Sequence, residues 1–199
     1  MITPFTLNLQ QGVLAVEPIG ELAQLESRAT MAELKSVEGI TAQSRRAERL
    51  AWRRTLRRVA GEECEVSYTK QGAPRITNSR FGHISVSHCA DYVAVLLAES
   101  PCGVDVERTN RNFERVASRY ITPKEQALSA DERASAAIWS AKEALYKMQG
   151  REGVDFLRDM EIISLDFEGA TIKARMSDGP AVEMGIVFPD EEHIVVYTK

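Results

Sequence analysis

The stretch DERASAAIWSAKEALYKMQG, residues 131–150, decides how the second half of the chain folds. Its apolar residues recur at helical spacing, so that side chains such as Ile138 and Leu145 can point toward a core. Asp131 is predicted to cap the helix, and Gly150 is a natural stop at its end. The stretch therefore predicts one long amphipathic helix.

Strand-like segments lie on both sides of this helix. A second helix is predicted over Ser44 to Val59, ending before Gly61, and Thr122-Pro123-Lys124-Glu125 has the pattern of a capping box that starts a further helix. The predicted strands are 4–9, 12–19, 65–69, 83–87, 92–98, 104–107, 163–167, 171–176, 181–188 and 193–197, with an acidic hairpin tip at 190–192. Helices followed by antiparallel strands indicate an α+β protein, and we predict two halves, 1–103 and 104–199.

Composition narrows the class of protein. The chain has 199 residues, of which 44% are hydrophobic and 27% charged, as is typical of a globular protein. A net charge of −4 argues against a general nucleic-acid binder. Three cysteines without C-x-x-C spacing indicate reduced thiols, and we see neither a signal peptide nor a long apolar span. We expect a cytoplasmic protein with no membrane partner.

Two short segments carry candidate chemistry. In Gly103-Val104-Asp105-Val106-Glu107, residues i and i+2 of a strand share a face, so Asp105 and Glu107 present two carboxylates together. Val104 and Val106 should then point the other way, into the core. Two such carboxylates repel each other unless a cation lies between them. The alternative interpretation is a solvated strand end, because like-charged neighbours are common on surfaces.

The second segment places Trp139, Glu143 and Lys147 in one stripe of the predicted helix, at i, i+4 and i+8. Alone, this pattern also fits an exposed glutamate–lysine pair. Together the two segments supply three carboxylates, Asp105, Glu107 and Glu143, which are the oxygen ligands that Mg²⁺ prefers, although Mn²⁺ also fits. Lys147 would neutralise phosphate charge, so the set predicts a site for phosphoryl-type transfer.

The spacing of G-V-D-V-E and W-S-x-K-E-A-x-x-K resembles the paired signatures of the 4'-phosphopantetheinyl transferases. It is most similar to the long, single-chain type that activates surfactin synthetase. The second signature is matched at Trp139, Ser140, Lys142, Glu143, Ala144 and Lys147. The resemblance implies transfer of 4'-phosphopantetheine from coenzyme A to a serine of an apo acyl or peptidyl carrier protein, with release of 3',5'-ADP. It also implies a monomer of two similar α+β halves related by a pseudo-twofold axis, with the active site at their junction.

A weaker part of the resemblance lies upstream. Ser87 and His88 match the serine–histidine pair of the family, which implies contact with the coenzyme A phosphates. Gly72-Ala73-Pro74 lies where many members have G-K-P, so Ala73 replaces a basic residue. Ser85 stands where an asparagine is frequent. These departures concern how the nucleotide is held.

The predicted first helix is rich in arginine. Seven arginines against one glutamate give a local charge of +6 over residues 45–58. Such a cluster suits bidentate phosphate recognition, and the resemblance implies contact with the 3'-phosphate of coenzyme A, for which we select Arg46 and Arg53. A solvated helix face is the alternative.

The resemblance gives the site residues their roles. Glu143, or a water that it orients, should take the proton of the carrier serine, and Lys147 should stabilise the leaving 3',5'-ADP oxygen. Trp139 should support this stripe by packing. Two other functions stay open: a non-catalytic relative that binds coenzyme A or a nucleotide, and an adaptor that uses the arginine helix to bind nucleic acid or an acidic protein.

Overall fold

A computed structural model describes residues 4–199, except for the side chain of Glu114. It divides the chain into two compact units, the first ending at Ser100 and the second spanning Pro101–Lys199. The division lies three residues before the predicted boundary between 103 and 104. Residues 1–3 of the predicted first half lie outside the described residues.

The first unit combines a mixed set of helices with antiparallel strands. In chain order these are β1 Phe5–Leu9, β2 Gly12–Pro18, α1 Leu22–Ser27, α2 Met31–Ser36, α3 Gln43–Ala60, β3 Glu65–Tyr68, β4 Pro74–Thr77, β5 His83–His88 and β6 Tyr92–Ala98. Four strands form a sheet in the order β1-β2-β6-β5, and β3 pairs with β4 as a separate hairpin. Helix α3 packs on this sheet through a core that includes Leu50 and Val95.

The predicted helix over Ser44 to Val59 is confirmed as α3, with one more residue at each end. Gly61 follows it with φ of +93°, a conformation that L side chains rarely adopt. The two short helices α1 and α2 were not predicted, because six residues are too few to establish a periodicity. A capping box between Thr30 and Glu33 starts α2, and this was the available signal.

The second unit contains one long helix and five strands. Its elements are β7 Val104–Arg108, a 3₁₀ turn Glu114–Arg119, α4 Pro123–Gln126, α5 Ala134–Gln149, β8 Met160–Asp166, β9 Thr171–Met176, β10 Ala181–Asp190 and β11 His193–Thr198. The five strands form one sheet in the order β7-β11-β10-β9-β8. The acidic residues 190–192 lie at the β10–β11 connection, which confirms the predicted hairpin tip.

Helix α5 begins later than predicted. Its first residue is Ala134, and the cap position is Arg133, so the prediction that Asp131 caps the helix is wrong. The Asp131 carboxylate instead accepts hydrogen bonds from the backbone and side chain of Arg133, which forms a local turn before the helix. The Thr122 capping box is confirmed, and Gly150 ends α5 with φ of +61°.

The two units share one connection pattern. In each, a strand that precedes the long helix pairs antiparallel with the last strand that follows it: β2 with β6 in the first unit, and β7 with β11 in the second. The observed helices and antiparallel sheets confirm the α+β class. The pseudo-twofold relation stays a prediction. Within residues 4–199, the helices are too short or too polar to span a membrane.

The helix side of the second sheet carries both its core and the predicted carboxylates. Asp105 is opposite Val196 and Glu107 is opposite Ile194, and these two apolar residues belong to the core cluster that contains α5. Directly opposed residues point to the same face of an antiparallel sheet. Val104 is buried, as predicted, but it lies on the face of the sheet that does not carry the α5 core. The prediction that the two carboxylates face away from the core is therefore wrong.

Candidate functional site

Helix α5 lies unusually close to strand β7 at the point where the two signature segments meet. A Cβ atom on Gly103 would lie 1.8 Å from the carbonyl oxygen of Ala144, so only glycine permits this approach. The backbone N–H of Gly103 donates to Thr198 Oγ1 at 3.0 Å, which fixes the segment to β11. The glycine of G-V-D-V-E therefore brings α5 next to the strand that carries Asp105.

The three predicted ligands form one electrostatic cluster. Burial raises the pKa of Glu143, and the neighbouring charges of Asp105 and Glu107 raise it further. Burial likewise raises the pKa of Glu107, with Asp105 as the second cause. Mutual effects of this kind require that the carboxylates be near one another. Asp105, Glu107 and Glu143 thus belong to one electrostatic cluster, and their role as ligands of one metal stays a prediction.

Two cations lie against this cluster. Lys147 Nζ is 2.8 Å from Asp105 Oδ1 and donates to the carbonyl of Val104 at 3.0 Å. Arg111 Nη1 is 2.6 Å from Glu107 Oε1. Both cations lower the pKa of Glu143 and of Glu107, but burial and the other carboxylates outweigh them. Three acidic groups against two basic ones leave the cluster with an excess of negative charge.

The donor set fits a hard divalent cation. It consists of carboxylate oxygens that are partly withdrawn from water and repel one another, and a cation such as Mg²⁺ would relieve that repulsion. Lys147 was predicted to face phosphate; the structure gives it Asp105 as a partner and leaves its side chain 25% exposed. A lysine in that position can serve both the carboxylate and an incoming anion.

An aromatic cavity of about 410 Å³ adjoins Glu143. Trp139 packs against Tyr120 at 5.0 Å and Phe156 at 5.8 Å between ring centroids, which agrees with its predicted packing role. The cavity is lined by Arg111, Val116, Arg119, Tyr120, Trp139, Glu143, Asp155 and Phe156.

Sequence reasoning missed part of this surface. Arg111 was available as the i+4 partner of Glu107, with its guanidinium also over the Trp139 ring at 5.8 Å. Phe156 and Asp155 lie in an irregular segment after α5, where no periodic pattern indicates which side chains turn toward Glu143.

A second, smaller cavity of about 190 Å³ lies in the first unit beside α3. It is lined by Ile40, Arg45, Glu48, Arg49, Trp52 and His88. His88 Nδ1 is 3.6 Å from Glu48 Oε2, so a protonated imidazole would have a partner there. Two arginines and a histidine around one cavity form a basic site that suits a phosphate group.

Most of the arginines of α3 are bound to carboxylates of the same unit. Arg46 forms an ion pair with Glu26 and donates to the carbonyls of Val37 and Ile40. Three others are also paired: Arg54 and Arg58 with Glu17, and Arg57 with Glu33. These contacts fix α3 to the elements around it, which gives Arg46 a structural role whether or not it also binds phosphate.

Arg53 differs from these paired arginines. Its Nη2 donates to the Tyr68 hydroxyl at 3.2 Å, and its guanidinium lies over the Trp52 ring at 5.0 Å. Its buried Nε has no hydrogen-bond partner among residues 4–199. The Arg53 guanidinium therefore contacts a hydroxyl and an aromatic ring, whereas that of Arg46 contacts a carboxylate and two carbonyls.

Ser87 and His88 point to opposite faces of β5. His88 is opposite Val93, which belongs to the core on the α3 side, whereas Ser87 is opposite Ala94 on the other side of the sheet. The structure brings His88 to the basic cavity and does not bring Ser87 there. Ala73 lies in the tight β3–β4 connection, where its N–H donates to Thr69 Oγ1 at 3.1 Å.

Comparison with known protein families gives a match within the second unit. Residues 101–189 match the model of the 4'-phosphopantetheinyl transferase superfamily. The chain is similar to the 4'-phosphopantetheinyl transferase AcpT of Salmonella typhi, with 34% identity over 115 residues, and to AcpT of Salmonella typhimurium strain LT2, with 32%. Each match covers 53% of this chain and 60% of the relative. The segment that matches this superfamily contains Asp105, Glu107 and Glu143.

Proposed function

We propose that the protein is a 4'-phosphopantetheinyl transferase, which moves the phosphopantetheine group of coenzyme A to a serine of an apo acyl or peptidyl carrier protein and releases 3',5'-ADP. The observation that carries this proposal is the cluster of Asp105, Glu107 and Glu143 beside Lys147, within the segment that matches the superfamily. Phosphoryl-type transfer needs charge neutralisation and positioning more than covalent chemistry. The cluster offers both.

Asp105, Glu107 and Glu143 would hold Mg²⁺, which when bound supplies charge neutralisation for the pyrophosphate of coenzyme A. Glu143 would accept the proton of the serine hydroxyl as that oxygen attacks the β-phosphorus. Lys147 stabilises the negative charge on the departing 3',5'-ADP oxygen. Mn²⁺ could replace Mg²⁺ at a site of carboxylate ligands.

The basic cavity of the first unit supports a role in holding the nucleotide. We assign the coenzyme A phosphates to His88 and Arg53, with Arg45 and Arg49 added because they line the cavity with His88. The case for Arg46 is weaker, since Glu26 and two carbonyls already bind its guanidinium. The case for Ser87 is weaker as well, because it lies on the other face of β5.

We further propose the long, single-chain type that activates surfactin synthetase. Its support is the first unit, which precedes the matched segment and repeats the connection pattern of strand, long helix and returning strand. A monomer in the cytoplasm fits this type and stays a prediction.

The decisive experiment is mass spectrometry of apo acyl and peptidyl carrier proteins incubated with the protein, coenzyme A and Mg²⁺. A mass gain equal to phosphopantetheine on the carrier serine, absent when EDTA is added, is the expected result. If no carrier is modified while coenzyme A binds, the protein is a non-catalytic relative. Salt-sensitive binding of duplex DNA without either result would favour the nucleic-acid adaptor.

A further inference from the structure

Lys142 belongs to the W-S-x-K-E-A-x-x-K segment, yet its side chain is completely buried. Its Nζ lies 2.8 Å from Glu125 Oε1 and donates to the backbone carbonyls of Tyr120 at 2.6 Å and Phe156 at 2.9 Å. Burial lowers the pKa of Lys142, and the Glu125 carboxylate opposes that effect. A side chain without exposed surface does not contact substrate, so its role must be exerted through its neighbours.

Glu125 extends the contacts of Lys142 to other elements. Its Oε2 accepts from the backbone N–H of Thr122 at 2.8 Å, and its Oε1 accepts from the N–H of Ile162 at 2.8 Å. The pair therefore connects α5 with the start of α4, with strand β8 and with the irregular segment that contains Phe156. A buried ion pair is often no more stabilising than apolar residues of the same size, so stability alone explains it poorly.

The two carbonyls that Lys142 binds belong to residues whose rings form walls of the cavity beside Glu143. Tyr120 and Phe156 line that cavity and both pack against Trp139. Because one ammonium group holds the backbone of both residues, it fixes the separation between the two walls. Glu143 is the next residue on the same helix, so the same turn of α5 positions the walls and the carboxylate.

We propose that Lys142 is a positioning residue: with Glu125 it holds the Tyr120 and Phe156 carbonyls, and thereby shapes the aromatic cavity that receives the part of the substrates next to the attacked phosphate. The identity of the substrates in this proposal rests on the transfer reaction proposed above. The role of Lys142 in holding the two carbonyls does not depend on that reaction. Loss of the Lys142 ammonium lets the walls separate while Glu143 keeps its own contacts.

The structural part is tested without substrate. Trp52→Phe leaves Trp139 as the only tryptophan of the two in the chain, so its fluorescence reports on the cavity. In that background we expect Lys142→Met to increase acrylamide quenching about two- to threefold relative to the parent. Glu125→Gln, which keeps the lysine donors on both carbonyls, should have a smaller effect. Ile172→Ala is the matched control, because Ile172 is buried in the same core but does not line the cavity.

The functional part is tested by steady-state kinetics and by binding of 3',5'-ADP, which lacks the pantetheine arm. Lys142→Met should lower kcat/KM for coenzyme A and the carrier at least tenfold and leave the Kd of 3',5'-ADP within twofold. Ile172→Ala should change kcat and KM less than threefold at a temperature where it is folded. If Lys142→Met yields no folded protein, Lys142→Gln, which keeps donors but no charge, replaces it in both measurements.

The outcomes separate the two proposals. An inactive parent protein would overturn the proposed reaction, whereas the quenching result would still decide the role of Lys142. Equal quenching in the Lys142 and Ile172 variants, or a loss of 3',5'-ADP affinity as large as the loss in kcat/KM, would overturn the positioning role and leave Lys142 as a stabilising core residue.

Discussion

Helices α3 and α5 are the long helices of the two units, and their charges differ at the arginines of α3 and at Glu143 of α5. On α3, the guanidinium groups of Arg54 and Arg58 both meet Glu17, which is only 5% exposed, and Arg57 meets the buried Glu33. On α5, burial raises the pKa of Glu143, and the like charges of Asp105 and Glu107 raise it further.

This difference shows how structural charges can be told from functional ones. Opposite charges that meet inside one unit satisfy each other and hold its elements together, whatever the local charge of the sequence suggests. Like charges that are crowded at a partly buried position are unfavourable unless a ligand compensates them, which is a mark of functional sites. The +6 charge of α3 suggests a phosphate site, but four of the seven arginines pair with carboxylates of the first unit.

The largest expected effect is that of Asp105→Ala. Asp105 contributes to the pKa shifts of both Glu107 and Glu143 and binds Lys147. Its removal therefore takes away one proposed metal ligand and the partner of Lys147. We expect transfer to fall on the order of 10³-fold or more, with circular dichroism and melting temperature nearly unchanged. Transfer at near-normal rate by this variant would contradict the assignment of the metal site.

The next effect is that of Glu143→Gln, which removes a ligand charge and the proton acceptor together. We expect kcat to fall on the order of 10²–10³-fold, since an amide cannot accept the serine proton. Raising Mg²⁺ should restore only part of the loss, as followed by steady-state rates across a metal titration. Complete recovery of kcat at high Mg²⁺ would show that Glu143 acts only as a metal ligand and not as the proton acceptor.

A smaller effect, on the KM for coenzyme A, should distinguish Arg45 and Arg49 of α3 from Arg46. Arg45→Ala with Arg49→Ala should raise the KM for coenzyme A about tenfold, a loss of about 1.4 kcal/mol, because both line the cavity of His88. The change should be smaller for the coenzyme A analogue without the 3'-phosphate. Arg46→Ala is the comparison: a lower melting temperature with little change in KM would confirm its structural role, whereas a selective rise in KM would return it to the phosphate site.

The smallest effect on transfer is expected for Glu17→Gln. It removes the shared partner of Arg54 and Arg58, which should cost about 1–3 kcal/mol in the free energy of unfolding. Urea denaturation measures this loss, and kcat at a temperature where the variant is folded should stay within twofold of the parent. A loss of transfer comparable to that of Asp105→Ala would mean that paired charges on α3 also act in the reaction.

Sequence patterns predicted both long helices and missed the short helices α1 and α2. The 3.6-residue period of α3 and α5 extends over several turns, so their ends at Gly61 and Gly150 were placed correctly. Helices α1 and α2 have too few residues for a period to be recognised. The sequence predicts Asp131 as a cap because its residue type favours that position, but its carboxylate binds Arg133 in a preceding turn. Composition does not decide between these two local partners.

The sequence by itself determined the class of reaction that we propose, because phosphate chemistry needs particular groups at fixed spacing: Asp105 and Glu107 at i, i+2 of a strand, and Glu143 and Lys147 at i, i+4 of a helix. Only the tertiary structure decided what each charge does. Arg46 and Lys142 look like available cations in the sequence, yet Glu26 and Glu125 bind them within their own units. Pairing depends on which segments lie against each other after folding, and residues 20 and 17 positions apart carry no local signal that they will meet.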